Sequence, residues 1–253
     1  ANGITIVHEP VPTRDHTERM LRWFGADIRA EGGTIALAGG QTLRARNIPV
    51  PCDISAAAFF LVAAASLAGS HLAIRNVGLN PTRTGILEVL KKLGVSVIVE
   101  NERLESNEPV GDLTVHGRSG PLGSDSNVVS GKIVANLIDE IPILAVLGTQ
   151  LEAGIEIRDA GELRVKESDR IRSVVENLRR LGAKIDEFPD GFRVYRSELK
   201  GAVVNSYDDH RIAMAFAVAG LLAKGETMID GAECVDVSFP GFFENLLAAI
   251  SSE

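Results

Sequence analysis

Three stretches of the chain run through one hydrophobic pattern: a polar opener with an aspartate, an apolar run, a short alternating segment, and a second run that is apolar on one side only. They open at Asp53 in PCDISAAAFFLVAAASLAG, at Asp139 in IDEIPILAVLGTQLEAG and at Asp209 in DDHRIAMAFAVAGLLAKG. The interval from Asp53 to Gly94 nearly equals that from Asp139 to Gly182, and self-similarity at a fixed period means one supersecondary unit used repeatedly. In the first run Ala56, Phe59, Phe60, Ala63 and Leu67 share a side with little polar opposition, which predicts a buried helix. Asp53 or Ser55 is placed to cap its first turn and Gly69 to end it. The alternating segments HLAIRNV, GIEIRDA and TMIDGAE read as strands on a half-buried sheet. In IRSVVENLRRLG the apolar Ile171, Val174, Val175, Leu178 and Leu181 recur three or four apart, predicting an amphipathic surface helix closed by Gly182. VSVIVE, AKIDEF, DLTVHG and FRVYR predict further strands in hairpin-like pairs, and NERLESNEPVG reads as a solvated polar turn.

The unit is therefore strand, helix, strand, helix, strand, strand. At about 70 to 85 residues per copy it is too long for the helical solenoid repeats and predicts a pseudo-symmetric α/β (α+β) lobe of repeated βαβαββ units. TRDHTERMLRWFGADI resembles the second half of a unit but has no opener before it, so the chain is expected to begin within one. Pro49 and Pro51 bracket a rigid, extended connection. A boundary is placed there: residues 1–50 form a partial unit of a second lobe, and residues 51–253 form a complete lobe of three units.

Composition narrows the classes. An apolar content of 45% with 24% charged residues fits a globular chain of 253 residues, and no apolar run is long enough to span a membrane. The N-terminus lacks the zones of a signal peptide, so a soluble, cytoplasmic protein is expected. Cys52 and Cys234 have neither metal-ligand spacing nor disulfide density. A net charge of −8 argues against sequence-independent nucleic-acid binding, so any anionic ligand relies on local positive charge.

Charge gathers in ELRVKESDRIR, where Lys166 and Arg170 are expected to share a helical face with Glu167 beside them at the helix start. A helix N-terminus with nearby cations is an anion site, although a capped, salt-bridged solvent face accounts for the same string. Asp139 stands immediately before an apolar helix, where it is either an N-cap or a partly buried carboxylate with a purpose. Asp208-Asp209-His210-Arg211 opens the third unit, and Arg14 and Arg83 echo one another before second helices. Pseudo-symmetry would draw Asp139, Lys166, Glu167, Arg170 and Arg211 toward one end of the lobe. Cations can clamp phosphate and carboxylate groups while carboxylates exchange protons, which implies addition or elimination on phosphorylated acids.

LRVKESDRIRSV and DDHRIAMAFA closely resemble the signatures of the EPSP synthases, and NPTRTG, TRDHTE and LIDEIPILA resemble their bacterial forms. The resemblance covers essentially the whole chain but only part of the family's length. It implies the enolpyruvyl transferase fold, two lobes of three units with the active site between them. It implies transfer of the enolpyruvyl group of phosphoenolpyruvate to the 5-hydroxyl of shikimate 3-phosphate, releasing phosphate, with no metal or organic cofactor. Carried over by motif, Asp139 would bond the shikimate hydroxyl and accept its proton, and Glu167 would handle the proton at the methylene carbon. Lys166 would contact shikimate 3-phosphate and also act catalytically at the reacting centre, Arg14 would contact shikimate 3-phosphate, and Arg170, Arg211 and His210 would hold phosphoenolpyruvate.

Three departures stand out. Cys52 occupies the glycine of the family's Pro-Gly-Asp hinge, Val237 stands where some members carry a lysine, and the family's N-terminal lysine, arginine and Ser-Gln contacts have no counterpart. The chain is accordingly expected to be weakly active or inactive without a complementing N-terminal chain. UDP-N-acetylglucosamine enolpyruvyl transferase is the alternative activity, against which KESDR and DDHR argue; a noncatalytic anion-binding or assembly half is the alternative of another class.

Overall fold

A computed structural model describes residues 1–10, 13–117, 123 and 127–251. The first part comprises β1 (Ile4–His8), α1 (His16–Trp23), β2 (Ile28–Glu31) and β3 (Thr34–Ala38), with β3 pairing antiparallel to both other strands. Three repeats follow. The first holds α2 (Ile54–Ser66), β4 (His71–Gly78), α3 (Gly85–Lys92), β5 (Val97–Glu105) and β6 (Glu108–His116), with sheet order β4-β6-β5. In the second are β7 (Val128–Val129), α4 (Lys132–Asn136), α5 (Ile141–Gly148), β8 (Ile155–Ile157), α6 (Arg170–Arg180), β9 (Ile185–Phe188) and β10 (Gly191–Val194), with order β7-β8-β10-β9. The third has β11 (Val203–Asn205) parallel to β12 (Met228–Asp230), joined by α7 (His210–Leu222) and followed by α8 (Phe242–Ser251). The chain thus forms the mixed α/β architecture of repeated units that the pattern predicts, but among the described residues the third repeat ends in α8 without the closing pair of strands expected of a full βαβαββ unit.

The apolar run of each repeat becomes a helix with no polar face to spare, and α2, α5 and α7 pack on one another at the centre. Every residue of α5 is buried, as are Phe59 and Leu61 of α2 and Met214 and Phe216 of α7. Each such large apolar side chain contributes about 1.5–3 kcal/mol by leaving water. The amphipathic helices α1, α3 and α6 lie outside and end in one way. Gly25, Gly94 and Gly182 adopt φ of +92°, +80° and +81°, and the next amide, of Ala26, Val95 or Ala183, reaches back to the carbonyl of Leu21, Leu90 or Leu178 at 2.9 Å. Only glycine takes that left-handed turn without strain. Openers end up side by side because the three central helices start at one end of the lobe.

One expectation needs correction, and one departure from the family pattern is accommodated. NERLESNEPVG is no solvated turn: β5 and β6 remain paired from Val97 to Glu105, with a bulge between Glu100 and Arg103 that interrupts the alternation. Ser106 and Asn107, with φ of +52° and +67°, make the two-residue turn. Cys52 leaves the hinge backbone unstrained, since it is extended in a parallel bridge to Val77 and its amide donates to Asn76 O at 2.8 Å. Among the described residues no helix is long and apolar enough to cross a membrane.

Candidate active site

Arg170 is the first residue of α6 and only 1% exposed, although arginine is among the residues least often buried. Its guanidinium is spent on three carboxylates. Nε donates to Asp209 Oδ2 at 2.8 Å, Nη1 to Asp139 Oδ1 at 3.2 Å, and Nη2 to Glu167 Oε2 at 2.6 Å and Asp209 Oδ1 at 3.3 Å. Asp209 caps α7 through the Arg211 amide and also takes the Ser168 hydroxyl, so one buried aspartate fixes both the helix start and the arginine.

Asp139 is the second focus. It lies in a single 3-10 turn ahead of α5 and makes no side-chain cap, so its carboxylate is free to face sideways. Oδ2 accepts from Arg14 Nη2 at 2.6 Å and lies 3.5 Å from Arg211 Nη2, while Oδ1 meets Arg170. Burial pushes this carboxyl up, but Arg211, Arg14 and Arg170 together outweigh burial and hold it at about 2, below the ordinary 3.8. The depressed value means that the ionised form is favoured on folding. Its contribution to stability is therefore complete above about pH 4 and lost as pH falls through about 2. Asp139→Asn is expected to flatten the acid limb of the stability curve in that window, read from urea melts between pH 5 and pH 2.

The neighbouring Glu140 is the opposite case. It is 1% exposed, and burial raises its carboxyl, opposed in part by the Ser55 hydroxyl and by Arg211 and Arg83. Oε1 accepts from Ser55 Oγ, which accepts from Arg83 Nη2 at 2.7 Å, and Arg83 also holds Asp53 at 2.8 Å. The adjacent carboxyls are thus driven in opposite directions by their surroundings. His210, the first residue of α7, is pushed down by burial and by Arg211, against the pull of Asp209 and Glu167.

Asp139, Glu167, Arg170, Arg211, Arg14 and His210 are thus brought to one end of the lobe. Lys166 differs from its expected setting. It is extended rather than helical because Asp169 caps α6 only at Arg170, so no helical face is shared with Arg170, and its ammonium pairs with Glu162. Glu162 is the residue four before it, and that side-chain pair is exposed on the glutamate side. Val237 is 88% exposed at the end of a short 3-10 helix. Sequence reasoning misses Glu140 and offers Ser55 only as a helix cap; the acidic doublet Asp139-Glu140 at a unit opening is the signal that could find the first.

Residues 1–246 match the family model described as EPSP synthase (3-phosphoshikimate 1-carboxyvinyltransferase). A protein of that name from Bacillus cereus is 50% identical over 247 residues, covering 97% of this chain and 57% of the relative. One from Desulforamulus reducens is 49% identical over 251 residues, covering 99% and 58%. The EPSP synthase structure from Acinetobacter baumannii superposes with a TM-score of 0.91 at 42% identity, over 98% of this chain and 57% of that one. The enolpyruvyl transferase NikO from Streptomyces tendae gives 0.76 at 21% identity, over 100% and 56%, a likeness of fold alone. The chain spans a little under three fifths of the length of these relatives.

Proposed function

Because the chain belongs to the EPSP synthase family, we propose that it supplies one wall of an enzyme transferring the enolpyruvyl group of phosphoenolpyruvate to the 5-hydroxyl of shikimate 3-phosphate, with release of phosphate. Residues 51–253 would be the lobe of three repeats, and residues 1–50 the last part of the other lobe, completed by an N-terminal chain. The observation that carries this reading is the Arg170 hub, which holds Asp139 and Glu167 on one guanidinium among further cations. Two proton-transfer groups at fixed separation, surrounded by preorganised positive charge, suit a reaction between two anions.

In this reading Asp139 accepts the proton of the attacking hydroxyl and Glu167 serves the methylene carbon. A carboxylate held at about 2 is a weak base. Its basicity would rise as substrate phosphate and carboxylate groups compete for Arg14 and Arg211, since each cation drawn away removes part of what stabilises the anion. Arg14 would then bind shikimate 3-phosphate, joined by Lys166 released from Glu162. Arg211 and His210 would hold phosphoenolpyruvate, with Arg170 adding the Nη1 hydrogen that its carboxylates leave over.

The test is reconstitution. The chain is mixed with a separately made N-terminal portion of an EPSP synthase, and phosphate release is followed with both substrates present. Turnover that needs both chains and both substrates is expected. Continued inactivity of a folded mixture that binds shikimate 3-phosphate would favour a noncatalytic anion-binding half.

A further inference from the structure

Arg14 lies outside α1 on an exposed approach, yet its guanidinium sits 2.6 Å from Asp139 Oδ2. Something must fix the start of α1 against the first repeat. Asn80 is 2% exposed, and its Nδ2 lies 2.7 Å from Asp15 Oδ1, 2.9 Å from Glu108 Oε2 and 3.3 Å from His16 Nδ1. The asparagine is itself locked, because its Oδ1 accepts from the amide and hydroxyl of Thr82 at 2.9 and 2.7 Å. Glu108 Oε1 meets His16 Nδ1 at 2.7 Å. Just beyond, Arg19 Nε donates to Asp15 at 2.8 Å and Nη1 to Asn107 O at 3.1 Å, while Asn107 Nδ2 donates to Arg19 O at 3.3 Å. The tight β5–β6 turn is what delivers Asn107 and Glu108 to this place.

We propose that Asn80 and Glu108 are positioning residues that clasp the first turn of α1 and thereby hold Arg14 on Asp139. Asp15 and His16, the two residues directly after Arg14, are the ones gripped, so freedom of the guanidinium is cut at its root. An apolar cavity of about 250 Å³ opens alongside, lined by His16, Trp23, Pro51, Ile54, Asn80 and Glu108. A buried, fully bonded asparagine between two carboxylates also gives direction that an apolar contact would lack. The clasp spans the two parts of the chain, and so makes the placement of one cation in the site depend on the register between them.

The catalytic meaning of the clasp rests on the role proposed for Arg14, but its test does not require turnover. Carbon-13 carboxyl NMR on the intact chain reads the Asp139 titration in the wild type, Arg14→Ala, Glu108→Ala, Asn80→Ala and Glu108→Ala/Arg14→Ala. The groups that face Asp139 besides Arg14 are Arg170, Arg211 and Glu140, and none of them is altered in these variants. Arg14→Ala is expected to move the Asp139 titration upward, Glu108→Ala and Asn80→Ala to move it most of the same way, and the double variant to move it no further than Arg14→Ala. Should Asn80→Ala fail to fold, Glu108→Ala at the hairpin end carries the comparison. An Asp139 titration that ignores both clasp variants, a double variant with additive shifts, or an Arg14→Ala protein that titrates like wild type would each overturn the proposal.

Discussion

Arg170→Met is expected to cost the chain about 3–5 kcal/mol, the usual penalty for removing one partner from a buried ion pair. That is a large share of a typical total of about 5–15 kcal/mol. Methionine replaces the aliphatic stem, so the loss comes mainly from what the guanidinium leaves behind. Asp209 has no exposed surface and Asp139 little, and the variant strips both of a charge-assisted donor while Glu167 can still turn to water. Arg170→Lys should recover only part, because a point charge cannot serve Nε, Nη1 and Nη2 directions together. Asp209→Asn added to Arg170→Met should restore stability relative to Arg170→Met alone, since it discharges the most deeply buried carboxylate. Urea denaturation at pH 7 measures all four proteins, and an Arg170→Met midpoint equal to wild type would show that the hub does not hold the site together.

The central helices were legible because their composition leaves no solvent face: IPILAV and AMAFAV have nothing to present to water. The ends of α1, α3 and α6 were legible because FGAD, LGVS and LGAK place glycine where a left-handed residue is needed. The β5–β6 hairpin was not, since a bulge breaks the period on which a strand is recognised and polar side chains fill its tip. The site divides in the same way. Asp139 and Arg211 could be nominated from charge at unit openings and Glu167 and Arg170 from charge at the start of a second helix, and their meeting follows from repeat symmetry. The helical setting expected for Lys166 fails because nothing in KESDR alone says that Asp169, rather than Ser168 or an earlier residue, caps the helix. Glu140–Ser55 joins residues 85 apart in sequence, and such a pair has no local signature. Asp209 shows why cap and function need not compete. Oδ1 caps α7 while both oxygens hold Arg170, so its capping role and its place in the site are the same fact seen from two helices.

Glu167→Gln in the reconstituted enzyme is expected to lower the rate at saturating substrates by about 10²–10⁴-fold, the span that a positioned general acid or base contributes. The substitution is suited to this purpose by its surroundings. Glu167 is half-exposed, and its contact inside the protein is the 2.6 Å bond that Oε2 accepts from Arg170 Nη2. A glutamine oxygen can accept that bond at nearly unchanged volume, so the melting midpoint should move little, as for most changes outside a core. What disappears is the exchangeable carboxyl proton. A group that moves a proton in the transition state affects kcat, whereas a group that merely holds substrate affects KM. The expected signature is therefore a fallen kcat with KM for shikimate 3-phosphate nearly unchanged. Arg14→Ala should give the complementary one, a raised KM with the smaller effect on kcat, because its guanidinium bears no transferable proton at working pH. A Glu167→Gln enzyme with wild-type kcat would remove Glu167 from the chemistry and leave the proton transfers to Asp139, since Asp209, the third carboxylate on Arg170, has no exposed surface.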